Sequence, residues 1–234
     1  MKREWIPNLL TMGSLAAGFT SLLFTFHSQF EWAALAILLA GLLDGLDGRV
    51  ARLLGVSSPL GVELDSLADL VSFGVAPGFL MYGLDLHHLG VFGAAIATLY
   101  AVSVGFRLAR FNLGTSLGYF VGLPSTAAGG IVASFVLYGA KLHSPFYPVL
   151  ALALTVLMVS RLRYRDFKRV NLTDLRFSKL FLVLVIASGV ALINPRKLIF
   201  LPLVTYLSYG PKDSLLAART NARQVCKPTK SQES

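Results

Sequence analysis

The chain has 234 residues, 55% of them hydrophobic and only 14% charged, with a formal net charge of +9. That balance excludes an ordinary soluble domain and points to an integral membrane protein. One cysteine, Cys226 near the C-terminus, excludes a disulfide framework and a thiolate metal site.

In chain order, "KREWIPNLLT" resembles an interfacial segment, with Trp5 at headgroup depth and Pro7 near a helix start. A bilayer core of about 30 Å needs about 20 apolar residues of helix to cross it. Uncharged runs near that length occur at 9–26, 89–106, 121–140 and 144–160 and give four spans. Segments 32–54 and 60–84 add two more, each carrying acidic residues at one end. Two shorter apolar runs, 180–193 and 198–210, predict a seventh and an eighth, short enough to be tilted, re-entrant or interfacial. The first run lacks a small-residue cleavage site and is expected to be a retained helix. The predicted fold class is all-α: a polytopic integral membrane protein with a six-helix core plus a C-terminal helical pair, about 8 transmembrane helices in all. Residues 1–165 form the expected catalytic membrane core, 166–210 a basic connector and the extra apolar pair, and 211–234 a polar tail.

Basic residues set the orientation, since short loops rich in Lys and Arg stay in the cytoplasm. Lys2, Arg3, Arg49, Arg52, Arg107, Arg110, the run "RLRYRDFKR" (161–169) and the tail fall on one side of an alternating eight-span arrangement. Lys141, Arg196 and Lys197 fall on the other. Both termini and the acidic stretch are therefore expected on the cytoplasmic side of the cell membrane. Nucleic acid is not an expected partner, because the bases sit where topology requires them and meet anionic lipid headgroups there. No internal repeat of the transporter kind is found.

The informative stretch is "LLDGLDGRVARLLGVSSPLGVELDSLADLVSF" (42–73), which sets Asp44, Asp47, Asp65 and Asp69 among apolar residues. Asp44 and Asp47 are three apart and share a helical face; Asp65 and Asp69, four apart, share another. Between them Gly55 is placed to end one helix, with Ser57 or Ser58 capping the next and Pro59 in its first turn. The prediction is a helical hairpin with two carboxylates on each arm facing across a gap, and with Gly48 and Gly61 leaving room for a ligand.

Four ionised carboxylates cannot converge there without a cation, since one buried unpaired charge alone costs several kcal/mol. Arg52 cannot balance them, and all-oxygen ligation suits Mg²⁺ or Mn²⁺, with two ions expected. Such ions favour a phosphate-bearing substrate. A single structural carboxylate and a transporter's cation pathway are the competing readings; intramembrane acids are functional by default, and four at these spacings favour a catalytic site.

Asp44-x-x-Asp47-Gly48-x-x-Ala51-Arg52, then eight residues, then Gly61-x-x-x-Asp65-x-x-x-Asp69, resembles without a gap the signature of the CDP-alcohol phosphotransferases. The resemblance implies displacement of CMP from a CDP-linked lipid by an alcohol, in a six-helix core that is usually homodimeric and opens to the cytoplasm. It implies Asp44, Asp47, Asp65 and Asp69 as metal ligands, with Asp69 also the general base. Gly48, Ala51, Arg52 and Gly61 would form the CDP site, which Asn8 and Thr11, near the start of the first helix, are placed to extend.

Beyond the signature, "IPNLLT" (6–11), "ELDSLADLVSFGVAPG" (63–78), "RLARFN" (107–112) and "GLPSTAAGG" (122–130) resemble the phosphatidylserine synthase branch. Thr126 departs from it, standing where many members have proline. The branch implies CDP-diacylglycerol and L-serine as substrates. Serine's carboxylate needs a fixed cation, for which an arginine fork is suited. Arg107 and Arg110, with Asn112 and Ser125, are the candidate serine contacts, Ser72 a weaker one; the arginines are equally readable as snorkelling helix anchors. Glycerol 3-phosphate and inositol phosphate are the alternative acceptors. His87 and His88 are expected in a solvated loop remote from the aspartates, and Glu63 has no assigned task.

Overall fold

The computed structural model describes residues 5–56, 58–113, 120–121, 123–137, 146–160 and 163–164. The predicted pair 180–193 and 198–210, the connector and the tail lie outside the described residues.

The described chain is helical. Helix α1 runs Trp5–Phe26, α2 Phe30–Leu54, α3 Pro59–Leu84, α4 Val91–Leu113, α5 Ser125–Leu137 and α6 Phe146–Val159. A two-residue antiparallel ladder pairs Phe120 with Tyr164 and Val121 with Arg163, too short to alter the all-α class. Among the described residues three helices, α1, α3 and α4, are long and apolar enough to cross a membrane. Helix α2 has 25 residues, about 37 Å at 1.5 Å per residue, but carries Glu31, Asp44, Asp47, Arg49 and Arg52. Helices α5 and α6 are described over 13 and 14 residues, and residues 138–145 between them lie outside the described residues.

These helices are apolar on both their inner and outer faces. Phe19 is 56% exposed and Val102 60% exposed, on helices whose most apolar windows are only one-third buried. Side chains of this kind, continuous along several helices, face lipid and not water. The chain is thus a multi-pass membrane protein.

Where helices meet, small residues let the backbones approach. Ser14, Ala17, Gly18 and Ser21 form the buried stripe of α1; Ser14 Oγ donates to the Ala40 carbonyl of α2 at 3.1 Å. A Cβ on Gly18 would lie 2.7 Å from Ser72 Cα, so only glycine permits this α1–α3 crossing. Helix α5 is the most enclosed, with Ala128, Ile131, Val132 and Ala133 all buried.

Helix α3 is not regular throughout. Residues Leu70–Val75 form a π-helical turn directly after Asp69. Such a turn disturbs the i→i−4 ladder, and here the Phe73 carbonyl accepts from the hydroxyl of fully buried Tyr100 at 3.1 Å. The Phe73 ring lies 3.6 Å from where a Gly41 Cβ would stand and 3.0 Å from a Gly129 Cβ, locking the turn between α2 and α5.

Candidate active site

The break between the two acidic arms forms as the local sequence dictates. Gly55 adopts φ +63°, a left-handed conformation suited to glycine. Its N–H donates to the Arg52 carbonyl at 3.3 Å while Val56 N–H donates to Ala51 O at 3.1 Å. Ser58 then caps α3, its Oγ accepting from Gly61 N–H at 3.1 Å, with Pro59 at the first helical position.

The hairpin brings Asp44 and Asp47 of α2 against Asp65 of α3. One carboxylate oxygen from each lies within 4.8 Å of the others. Asp47 is the buried member, and its Oδ2 accepts from Thr11 Oγ1 at 2.7 Å. Thr11 is itself buried, its Oγ1 also 3.1 Å from Pro7 O, an alternative acceptor for the single hydroxyl proton. Beside this set opens a cavity of about 440 Å³. Asn8, Thr11, Gly48, Ala51, Arg52 and Gly61 line it together with Asp47 and Asp65. A Cβ on Gly61 would sit 2.9 Å from Asn8 Oδ1, so glycine keeps this wall open. All six residues expected at the CDP site therefore share one cavity. Val56, Ser58 and Val62 also line it; in the sequence they read only as turn and helix-start residues.

Asp69 stands outside the three-carboxylate set, one turn along α3. Its Oδ2 accepts from Ser125 Oγ at 3.2 Å, and Ser125 Oγ accepts from Arg107 Nη1 at 2.9 Å. Asp69 Oδ1 is buried with no hydrogen-bond partner among the described residues. The charges of Asp44 and Asp65 repel Asp69 while Arg107 attracts it. Arg107 is 8% exposed and turned into the bundle, not snorkelling along lipid. Arg110 instead donates to the carbonyls of Val159, Met158 and Ser160 at 3.1, 3.4 and 3.5 Å. It thereby caps the C-terminal end of α6, where helix carbonyls have no intrahelical donors. Asn112 Nδ2 donates to Ser66 Oγ at 2.9 Å, and Ser72 Oγ to Ser14 O at 3.0 Å. His87 and His88 are exposed in a short turn, Leu86–Leu89, beyond the other end of α3.

Three carboxylates converging from two helices form an all-oxygen donor set of the kind that hard divalent cations take. The residues fit such an ion, which would bind at the rim of a cavity large enough for a nucleotide-sized ligand.

Residues 4–162 match the CDP-alcohol phosphatidyltransferase family model, and this chain belongs to that family. Its transferases are generally dependent on divalent metal. Among individual relatives, the chain is 36% identical over 213 residues to the CDP-diacylglycerol–serine O-phosphatidyltransferase of Helicobacter pylori, covering 87% of this chain and 88% of that one. It is 36% identical over 220 residues to the enzyme of that name from Mycobacterium leprae, covering 88% and 73%. It is also 36% identical over 166 residues to the archaetidylserine synthase of Methanothermobacter thermautotrophicus, covering 68% and 69%.

Proposed function

We propose that this chain is a phosphatidylserine synthase, transferring the phosphatidyl group of CDP-diacylglycerol to the hydroxyl of L-serine with release of CMP. The observation that carries the reading is the meeting of Asp44, Asp47 and Asp65 at a cavity lined by Asn8, Gly48, Arg52 and Gly61, with Asp69 one turn beyond. Serine is common to the names of the bacterial and archaeal relatives, and supports it as acceptor over glycerol 3-phosphate or inositol phosphate.

Asp44, Asp47 and Asp65 would hold Mg²⁺ or Mn²⁺, with Asp69 beside them as the base. A cation bound there would supply positive charge against the phosphate charge that develops in displacement. Asn8, Thr11, Gly48, Ala51, Arg52 and Gly61 receive the CDP moiety. Arg52 supplies positive charge at the cavity, and the two glycines leave the ligand room. Asp69 takes the proton of the serine hydroxyl as that oxygen bonds to the phosphorus bearing diacylglycerol; the phosphorus–oxygen bond to CMP breaks and CMP departs. A carboxylate acting as general base is typically worth about 10²–10⁴-fold in rate. Arg107 supplies the fixed cation near the acceptor's carboxylate, and Arg110 and Asn112 hold the helix ends around it.

The catalytic core is 1–165, matching closely the family region 4–162, followed by the connector and apolar pair at 166–210 and the polar tail 211–234. The chain crosses the cell membrane about eight times, α2, α5 and α6 completing a six-helix core. Both termini and the active site face the cytoplasm, and two copies form a homodimer.

The test is CMP release by the purified protein in detergent with CDP-diacylglycerol and Mn²⁺ or Mg²⁺, comparing L-serine, glycerol 3-phosphate and inositol phosphate, with Asp69→Asn as control. Release that requires serine and disappears in the variant is the expected result. Release with another acceptor alone would overturn the substrate, and bound metal without any release would favour a cation pathway.

A further inference from the structure

We propose that Ser125, backed by Arg107, is the positioning residue for Asp69, and that its hydroxyl does not bind the carboxylate of the acceptor. The inference rests on the reading of Asp69 as general base. Ser125 is 1% exposed, between Arg107 Nη1 at 2.9 Å and Asp69 Oδ2 at 3.2 Å. A guanidinium only donates and a serine hydroxyl has one proton. With Arg107 donating to Oγ, that proton is directed to Asp69 and none remains for a substrate carboxylate. Asp69 is thereby anchored through Oδ2, which leaves Oδ1, buried and without a partner among the described residues, for the reacting hydroxyl.

The surrounding frame holds Ser125 where this contact requires it. Ser125 is the first residue of α5, so the partial positive charge of that helix start lies beside the Asp69 carboxylate. Two residues earlier, Leu123 N–H donates to Leu157 O of α6 at 3.2 Å. Arg110 then ties the end of α6 back to α4, the helix that carries Arg107. The π-helical turn after Asp69 is gripped by Tyr100 of α4 as well. Asp69 is thus fixed on its side-chain and backbone sides by the same group of helices.

Ser125→Ala and Ser125→Thr test this by kinetics and by the infrared carboxylate stretch that Asp69→Asn removes, with Mn²⁺ binding as the check on folding. Ser125→Ala is expected to lower kcat for CMP release roughly 10- to 100-fold, as for a catalytic group displaced by about 1 Å. KM for serine and for CDP-diacylglycerol should be unchanged, and Ser125→Thr should restore the rate. The Asp69 band should shift in Ser125→Ala and stay in Ser125→Thr. A raised KM for serine with kcat intact would overturn the proposal by making Ser125 an acceptor contact; unchanged kinetics would overturn it too. Should the native protein transfer to no acceptor, the functional reading fails, while the band still decides the contact: an unshifted band refutes it.

Discussion

Replacing Thr11 by valine removes one hydroxyl and little volume from the point where α1 meets the acidic arm of α2. The lost contact is the 2.7 Å hydrogen bond to Asp47 Oδ2, between side chains 4% and 6% exposed, so water does not readily take its place. A hydrogen bond to a charged group is worth about 1.5–3 kcal/mol. At about 1.36 kcal/mol per factor of ten, that sets a ceiling of roughly 10- to 150-fold on the change in cation affinity. Losing a partner that orients a metal-ligating side chain typically weakens binding by about 10–100-fold, within the same range. Mn²⁺ titration of the detergent-solubilised variant, followed by electron paramagnetic resonance, should show a Kd raised by that amount. CMP release should recover as Mn²⁺ is raised to saturation. Unchanged Mn²⁺ affinity, or a loss of kcat that saturating Mn²⁺ does not restore, would refute the role of Thr11 in orienting Asp47 and leave it only its place in the wall of the CDP cavity.

Gly61→Ala should raise KM for CDP-diacylglycerol about 10-fold, through roughly 1–3 kcal/mol of overpacking, because the new Cβ would stand 2.9 Å from Asn8 Oδ1 and 3.1 Å from Ser58 Oγ; its Mn²⁺ affinity should be unchanged. Gly18→Ala should destabilise the fold by about 1–3 kcal/mol, read as a lower Tm in detergent, since its Cβ meets the Ser72 backbone at 2.7 Å. An unaltered Tm would mean that α1 and α3 do not cross so closely.

Local chemistry in the acidic stretch was legible from residue order. Spacings of three and four place carboxylates on helix faces whatever the tertiary structure, and Gly55, Ser58 and Pro59 each act on their own backbone. The hairpin and the all-α class follow from those rules and from the length of the apolar runs. Partnerships across the bundle were not legible. Ser125 and Asp69 are 56 residues apart, and Thr11 and Asp47 36 apart, and a small hydroxyl residue in a membrane helix reads equally as packing, cap or ligand. Arg110 shows the same ambiguity, since an arginine at a helix end gives no sign that its donors reach the carbonyls of α6. The π-helical turn left no signature either, because every residue of "LVSFGV" suits a buried membrane helix at either period.

The most direct measurement pairs CMP release with incorporation of labelled L-serine into lipid by the metal-stripped protein, before and after Mg²⁺ or Mn²⁺ is restored. Neither product should form without the cation. With it, CMP and lipid-bound serine should form in equal amounts, both lost in Asp69→Asn. CMP formed without serine in lipid would make the site a hydrolase, and equal products in metal-free protein would contradict the role given to Asp44, Asp47 and Asp65.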